Sequence, residues 1–254
     1  IFPTYFVSKK ASEKVKVVLS GEGGDELFYG YPRSLEFAKM GDSVDYSISL
    51  IDRLYFFLPR FKAKNKIFQK AYRVFKQPIS YYLLFMSPVR DHGSISLWRL
   101  IKDECKKRGY KGLDLDREFY LEGDLLRKTD FATSYVSIEG RVPLLDVDIV
   151  ENSGVVESQK LEGGVLKAFL KKMLSCYIPK EFVYRSKSGF GLDIKDFFER
   201  SKILRADLDR ALVSLNERGV VVERMRSYEL ILRYPHYAFS LVSLYRSIVN
   251  NERI

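Results

Sequence analysis

The chain has 254 residues, 46% hydrophobic and 30% charged, a composition that is typical of a folded protein and excludes an intrinsically disordered one. Its 43 Lys and Arg residues against 33 Asp and Glu residues give a net charge of +10, which predicts a basic surface. The two cysteines, Cys105 and Cys176, form no C-x-x-C pair, so the pattern favours neither a disulfide framework nor a zinc site and is typical of a cytoplasmic protein. With only two histidines and no apolar run long enough to span a membrane, any catalysis is expected to rest on carboxylates, lysines, arginines and backbone groups.

The first predicted elements are a strand, a glycine-rich loop and a short helix. The β-branched run Val15–Leu19 predicts a buried strand, and it stops at the loop Ser20–Gly24. A helix is predicted to begin at Asp25, and Gly30 and Pro32 limit it to one or two turns.

The rest of the chain is predicted to be mostly helical. Apolar residues recur at helical spacing from about Leu35 to Arg108, and a second block, Phe119–Ile138, ends at Gly140. The clearest amphipathic helix is predicted over Val165–Tyr177, and a last one over Tyr237–Val249. Three prolines divide the first block: Pro59, Pro78 and Pro88.

A strand that enters a helix through a glycine-rich loop presents free backbone N–H groups beside a helix end, and phosphate binds readily at such a turn. The loop lacks the Gly-Lys-Ser/Thr of a Walker sequence, and Glu26 stands where the third glycine of a dinucleotide fingerprint would fall. A purely structural turn therefore stays an alternative at this point.

The loop region also carries three carboxylates, Glu22, Asp25 and Glu26. Their charge would repel a phosphate unless a cation intervened, and Mg²⁺ prefers oxygen ligands from one or two carboxylates, phosphates and water. The pattern therefore predicts a magnesium-bound nucleotide. As an alternative, Asp25 caps the helix and Glu26 stabilises its dipole, a role that Glu22, between two glycines, does not share.

Three stretches resemble one family, in that family's order. Ser20-Gly-Glu-Gly-Gly-Asp-Glu-Leu-Phe28, followed by Gly-Tyr-Pro-Arg33, resembles the S-G-E-G-x-D-E-x-F-x-G-Y loop in the synthetase domain of glutamine-dependent asparagine synthetases. The second stretch, Gly123–Asp146, contains D-L-L-R-K-T-D and S-I-E-G-R-V-P-L-L-D, and the third, Leu166–Gly191, ends in K-S-G-F-G; both are similar to stretches of the same domain.

The resemblance implies an α/β fold of the adenine-nucleotide alpha-hydrolase-like type, also called the PP-loop ATP pyrophosphatase fold. It also implies a ligase that uses ATP and Mg²⁺ to adenylate an aspartate-like carboxylate, after which ammonia or an amine displaces AMP. The residues that the resemblance assigns are catalytic Glu22 and Lys167, nucleotide-binding Ser20, Gly21, Gly23 and Lys187, and the magnesium ligand Asp25.

Alternatives remain for three residues. Asp130 and Arg141 are either substrate-binding residues or part of a structural set of salt bridges at the end of a helix. Periodicity alone favours a solvent-facing Lys167, although a lysine one position off the apolar stripe can extend its stem to the edge of a cleft.

The family's upstream S-G-G-x-D-S loop and its glutaminase domain find no match in the sequence. Residues 1–254 are therefore expected to be the C-terminal part of a synthetase domain, with residues 1–34 holding strand, loop and short helix and residues 35–254 the helical part. Since the strand is then the last of a parallel sheet, an N-terminal portion in the same or another chain is the expected partner, and a homo-oligomer is left open.

Two other functions are consistent with parts of the pattern. A lactam- or macrolactam-forming synthetase of the same family would take its amine from the substrate itself and need no glutaminase. A noncatalytic helical module could bind RNA through the net positive charge, but Lys and Arg are interspersed with acids along the whole chain, which argues against nucleic acid as a partner.

Overall fold

The computed structural model describes residues 1–42, 44–57, 63–86, 92–185, 193–219 and 226–251. The chain divides into two compact units, Ile1–Ser188 and Gly189–Ile254. The first unit holds the predicted loop and the two strands of the described residues, whereas the regular elements in the described part of the second unit are all helices.

The first unit begins with helix α1, strand β1 and the short helix α2, and continues through five helices to a π-helix. Their bounds are α1 Phe2–Ser12, β1 Val17–Leu19, α2 Gly24–Leu27, α3 Pro32–Met40, α4 Leu50–Phe57, α5 Ala63–Val74, α6 Pro78–Met86, α7 His92–Arg108 and the π-helix Asp116–Leu126. Prolines begin α3 and α6, where a missing N–H costs nothing, and Gly41 ends α3 at a φ of 67°.

The remainder of the first unit runs from a helix that directly follows the π-helix to a short helix near Ser188. Its elements are α8 Arg127–Ser134, β2 Glu139–Arg141, α9 Val147–Asn152, α10 Ala168–Leu174, α11 Lys180–Val183 and 3₁₀ turns at Pro143–Leu145, Ser153–Gln159 and Glu162–Gly164. The carboxylate of Asp146 accepts a hydrogen bond from the Asp148 N–H at 3.0 Å and so caps α9.

Helices α3 to α7 share an aromatic-rich core. Trp98 is completely buried, stacks on Tyr55 and meets Phe56 edge to face, so the three rings tie α7 to α4. Other buried residues of this core include Phe37, Tyr72, Ile79, Leu83 and Leu115.

A buried ion cluster lies beside this core. The Lys102 ammonium, fully buried, is 3.0 Å from Asp45 Oδ2 and 2.9 Å from Asp52 Oδ2, and it donates a hydrogen bond to the Ser47 carbonyl at 2.9 Å. All three ammonium protons therefore have acceptors. Asp45 in turn accepts hydrogen bonds from Ser80 at the start of α6, so the cluster joins α7 to α6 and to the segment before α4.

The two strands pair in parallel, with Val17 opposite Glu139 and Leu19 opposite Arg141. The pairing continues beyond β1, since the Ser20 N–H donates to the Arg141 carbonyl at 2.8 Å. Both strands are largely exposed, and Leu19 keeps 74% of its accessible surface. Parallel sheets are normally covered on both faces, so this exposure is unusual.

The described part of the second unit comprises four helices with a core of their own. Their bounds are α12 Ile194–Arg200, α13 Lys202–Glu217, α14 Ser227–Arg233 and α15 Pro235–Asn251. Ser201 caps α13 by accepting a hydrogen bond from the Leu204 N–H at 3.2 Å. The Arg246 guanidinium of α15 pairs with Asp207 of α13, and the largest buried side chains between the helices are Phe198, Leu208, Leu215, Leu230 and Val242.

The predicted strand, loop, short helix and predominance of helices are observed, with four differences. The strand, predicted to be buried over Val15–Leu19, spans Val17–Leu19 and is largely exposed. Helix α1 was not predicted. The block Phe119–Ile138 is a π-helix followed by α8, and its end at Gly140 is the strand β2. The predicted helix Val165–Tyr177 is shorter, spanning Ala168–Leu174, and its last two apolar side chains, Met173 and Leu174, are about half exposed.

Both cysteines carry free thiols. Cys105 is buried in the aromatic-rich core of α3 to α7, and this burial raises the pKa of its thiol to about 11. Cys176 is exposed. Among the residues described, no helix combines the length and the apolar character needed to cross a membrane.

Candidate active site

The predicted phosphate loop, Ser20–Gly24, joins β1 to α2 in a tight turn. Gly23 caps α2 at a φ of 84°, a conformation that an L side chain rarely adopts, and a Cβ there would lie 2.3 Å from Leu145 Cδ2. The Ser20 hydroxyl accepts a hydrogen bond from the Glu22 N–H at 3.4 Å, whereas Gly21 is exposed with open space around it. The backbone at Gly21 is therefore accessible to a ligand.

Glu22 turns inward from this loop. Its Oε1 accepts a hydrogen bond from the Thr129 hydroxyl of α8. Its Oε2 is buried and has no hydrogen-bond partner among the described residues. A buried carboxylate oxygen without a donor is costly, and a bound ligand with an N–H or O–H group would satisfy it.

The second predicted catalytic residue, Lys167, reaches the same loop. Its Nζ lies 2.9 Å from Asp25 Oδ1, with both side chains about three-quarters buried. A Cβ built on Gly24 would lie 4.0 Å from this Nζ, so the ammonium is next to the loop backbone as well. The expectation that Lys167 lies on the amphipathic helix is wrong: it immediately precedes α10 and has a left-handed backbone, with a φ of 55°.

This backbone conformation aims Lys167 at the loop instead of along a helix surface. A non-glycine residue at positive φ is strained and is retained where the surroundings fix it, frequently at functional sites. The ion pair with Asp25 is one such constraint, and the hydrogen bond from the Lys171 N–H to the Lys167 carbonyl at 2.9 Å is another.

The ion pair depends on the absence of a side chain at Gly30. A Cβ there would lie 1.8 Å from Asp25 Oδ1 and 2.3 Å from Lys167 Cε. We expect Gly30→Ala to separate the pair and to lower the free energy of unfolding by about 1–3 kcal/mol, the usual range for overpacking. Urea denaturation measures this loss.

Gly123→Ala is the matched control, because a Cβ at Gly123 meets no atom within 4 Å. We expect its unfolding free energy to stay within about 0.5 kcal/mol of the native value or to rise slightly. Equal losses for the two variants would contradict the close approach at Gly30.

Behind the loop, the buried Glu26 and the partly buried Tyr31 form a polar pair. The Tyr31 hydroxyl donates to Glu26 Oε1, and burial raises the pKa values of both groups above their ordinary ranges. Arg33 lies 4.0 Å above the Tyr31 ring and forms a salt bridge with Asp116 of the π-helix at 2.5 Å. This network fixes α2, and with it Asp25, against the π-helix.

The remaining predicted site residues have different positions. Asp130 is exposed, and the Ser134 hydroxyl of the same helix is 3.4 Å from its Oδ1. Arg141 is exposed and pairs with its strand neighbour Glu139 at 2.8 Å. Lys187 lies outside the described residues.

The side chains present fit a nucleotide-bound cation better than one held by the protein alone. No group of three or more His, Cys, Asp or Glu side chains in the described ranges could hold a metal ion. The loop does offer the Asp25 carboxylate, beside the start of α2. One such carboxylate suits Mg²⁺, which takes one or two carboxylates and completes its shell with phosphate oxygens and water.

Sequence reasoning missed Thr129 and the Tyr31–Arg33 network. Thr129, Ala132 and Thr133 are small residues at i, i+3 and i+4, a spacing that places them on one helix face, and this face is the buried one. Thr129 lies beside Asp130 in the D-L-L-R-K-T-D stretch, and an uncharged hydroxyl gives no sequence signal that singles it out.

Comparison with known proteins shows the family of the chain. The family model for asparagine synthase matches residues 1–236. The chain is 28% identical over 219 residues to a glutamine-hydrolysing asparagine synthetase 1 of Bacillus subtilis, covering 78% of this chain and 34% of that protein. It is 25% identical over 252 residues to proteins of Mycobacterium bovis and Mycobacterium tuberculosis that are named as glutamine-hydrolysing asparagine synthetases, covering 91% of this chain and 38% of theirs.

The chain thus spans about a third of the length of these curated relatives. No solved structure matches it significantly. Since the family model covers the loop, Thr129, Lys167 and all but the last residues of the sequence, the chain belongs to the asparagine synthase family.

Proposed function

We propose that this chain supplies the catalytic loop of an ATP-dependent, amide-forming ligase. The enzyme adenylates an aspartate-like carboxylate and transfers ammonia or an amine to it, with release of pyrophosphate and AMP. The observation that carries this proposal is the meeting of Lys167 with the acidic glycine loop, 2.9 Å from Asp25, beside a Glu22 carboxylate that keeps one oxygen unpartnered.

The first step joins the substrate carboxylate to ATP. A carboxylate oxygen bonds to the α-phosphorus while the bond from that phosphorus to pyrophosphate breaks, and pyrophosphate leaves. Negative charge grows on the phosphoryl oxygens, and a fixed ammonium such as that of Lys167 stabilises it. The loop N–H groups at Gly21 and Gly23 would hold phosphate oxygens near the start of α2, and Ser20, whose N–H pairs with the Arg141 carbonyl, would contribute its hydroxyl proton.

The second step forms the amide. The nitrogen bonds to the acyl carbon, the bond from that carbon to AMP breaks, and the surplus proton must leave the nitrogen. Glu22 Oε2 is the group in this loop that can accept the proton, because it is unpartnered while Oε1 is occupied by Thr129. Mg²⁺, held at Asp25 together with the phosphates, would neutralise charge on ATP and on the leaving pyrophosphate.

The exposure of the sheet supports the proposal that a further portion of the synthetase completes this site. Four large apolar side chains are exposed, although such side chains normally lie in a core: Leu19 of β1, Phe6 of α1, Phe131 of α8 and Tyr135, which directly follows α8. An N-terminal portion with further parallel strands, in the same or another polypeptide, would cover them. The expected upstream pyrophosphate loop would come with that portion.

ATP–pyrophosphate exchange tests this function. We expect exchange that depends on aspartate and Mg²⁺ when the chain is combined with a polypeptide that supplies the upstream loop, and none with the chain alone. Mass spectrometry after addition of ammonium should then detect the amide. Absence of carboxylate-dependent exchange from the combined proteins would contradict the proposed function.

A further inference from the structure

The hydrogen bond between Thr129 and Glu22 joins two parts of the chain that are 107 residues apart. Thr129 lies on the buried face of α8 and keeps only 9% of its accessible surface. A threonine hydroxyl carries a single proton, so donation to Glu22 Oε1 uses its whole donor capacity.

The packing around Thr129 fixes the direction of this hydroxyl. The Thr133 hydroxyl donates to the Thr129 carbonyl at 3.0 Å, one turn along the helix. Strand β2 passes close by, and a Cβ on Gly140 would lie 3.2 Å from Thr133 Cγ2 and 3.7 Å from Thr129 Cγ2. Since a β-branched side chain has few rotamers on a helix, these contacts leave Thr129 little freedom to turn away from Glu22.

The two oxygens of Glu22 therefore differ. Oε1 is held by Thr129, while Oε2 is buried and has no partner among the residues described. A carboxylate with a purely structural role would gain from pairing both oxygens, because each buried one left unpaired costs free energy. An N–H donor on a bound molecule would give Glu22 Oε2 the hydrogen-bond partner that it lacks among the residues described.

We infer that Thr129 is a positioning residue, which holds Glu22 through Oε1 so that Oε2 alone faces the attacking nitrogen. The inference deepens the proposed function and rests on it for the identity of the nitrogen donor. The hydroxyl, and not the bulk of the side chain, has this role. Thr129→Val, which has the same shape and no hydroxyl, should therefore differ from Thr129→Ser, which keeps the hydroxyl.

The hydrogen bond is testable in the chain alone, without activity. In protein labelled with ¹³C at the glutamate side-chain carboxyls, Glu22→Gln identifies the Glu22 resonance by its loss. We expect Thr129→Val to shift this resonance at a fixed neutral pH and Thr129→Ser to leave it near its native position. No shift in Thr129→Val, with the fold intact by circular dichroism, would overturn the inference.

Kinetics of the combined proteins give the second readout. We expect Thr129→Val to lower kcat for amide formation about 10–100-fold, as loss of a group that orients a reacting one commonly does, with KM for ATP unchanged. Thr129→Ser should recover most of this loss. A raised KM with unchanged kcat, or equal losses in both variants, would contradict positioning.

The two proposals fail in different ways. If the native combined proteins form no amide, the proposed function is wrong, and the carboxyl resonance still decides whether Thr129 holds Glu22. If Thr129→Val does not fold, the comparison of Thr129→Ser with the native chain remains: a displaced resonance in Thr129→Ser would reject the inference.

Discussion

Lys167→Met is expected to lower the rate of carboxylate-dependent ATP–pyrophosphate exchange by about 10²–10³-fold, the usual cost of removing one preorganised group that stabilises transition-state charge. Methionine retains much of the lysine stem but has no ammonium to oppose the charge that develops on the phosphoryl oxygens. The measurement is the exchange rate of the combined proteins at saturating ATP and aspartate.

Lys172→Met is the matched control, since Lys172 is an exposed lysine on α10, the helix that begins directly after Lys167. We expect its exchange rate to stay within about twofold of the native rate, because an exposed charge away from the reacting atoms stabilises the transition state little. A fall of equal size in both variants would mean that general positive charge, and not a specific ammonium, is responsible.

Lys102→Met is expected to lower the free energy of unfolding by about 3–5 kcal/mol, because it leaves two buried carboxylates without their cation. The side chains of Asp45 and Asp52 that would be left are at least nine-tenths buried. The Ser47 carbonyl would lose a donor as well. Equilibrium urea denaturation, followed by circular dichroism, measures the change.

Lys107→Met on the same helix controls for the loss of a charge. Lys107 is about three-quarters exposed and lies 3.8 Å from Glu104, so its removal should cost no more than about 0.5 kcal/mol. Similar unfolding midpoints for the two variants would contradict the assignment of Lys102 as a structural cation.

The glycine loop could be predicted from the sequence because its signals are local. A β-branched run, a cluster of glycines and an acidic helix start each have a direct physical cause within ten residues. The second strand has no such signal. Its residues Glu139, Gly140 and Arg141 include none of the β-branched and aromatic residues that are enriched in strands. They form a strand because β1 offers its backbone groups as partners.

The position of Lys167 also depends on contacts that are distant in the sequence, so local patterns do not predict it. Its apolar neighbours have helical spacing, but the helix begins one residue later, and the left-handed turn that aims the ammonium at Asp25 depends on contacts with a segment more than a hundred residues away. The resemblance to a family implies that Lys167 is a site residue, whereas periodicity alone favours a surface lysine. Thr129 has an ordinary hydroxyl on an ordinary helix face, and only the structure shows that Glu22 is its acceptor.

The exposed strands also have a consequence for how the polypeptide behaves in solution. Leu19, nearly three-quarters exposed, lies in a strand pair whose outer backbone groups have no further strand beside them among the residues described. Uncovered strands with aliphatic side chains are templates for pairing with other chains. Concentrated preparations of this polypeptide alone should therefore aggregate through the sheet, and added charge at Leu19 should keep them dispersed.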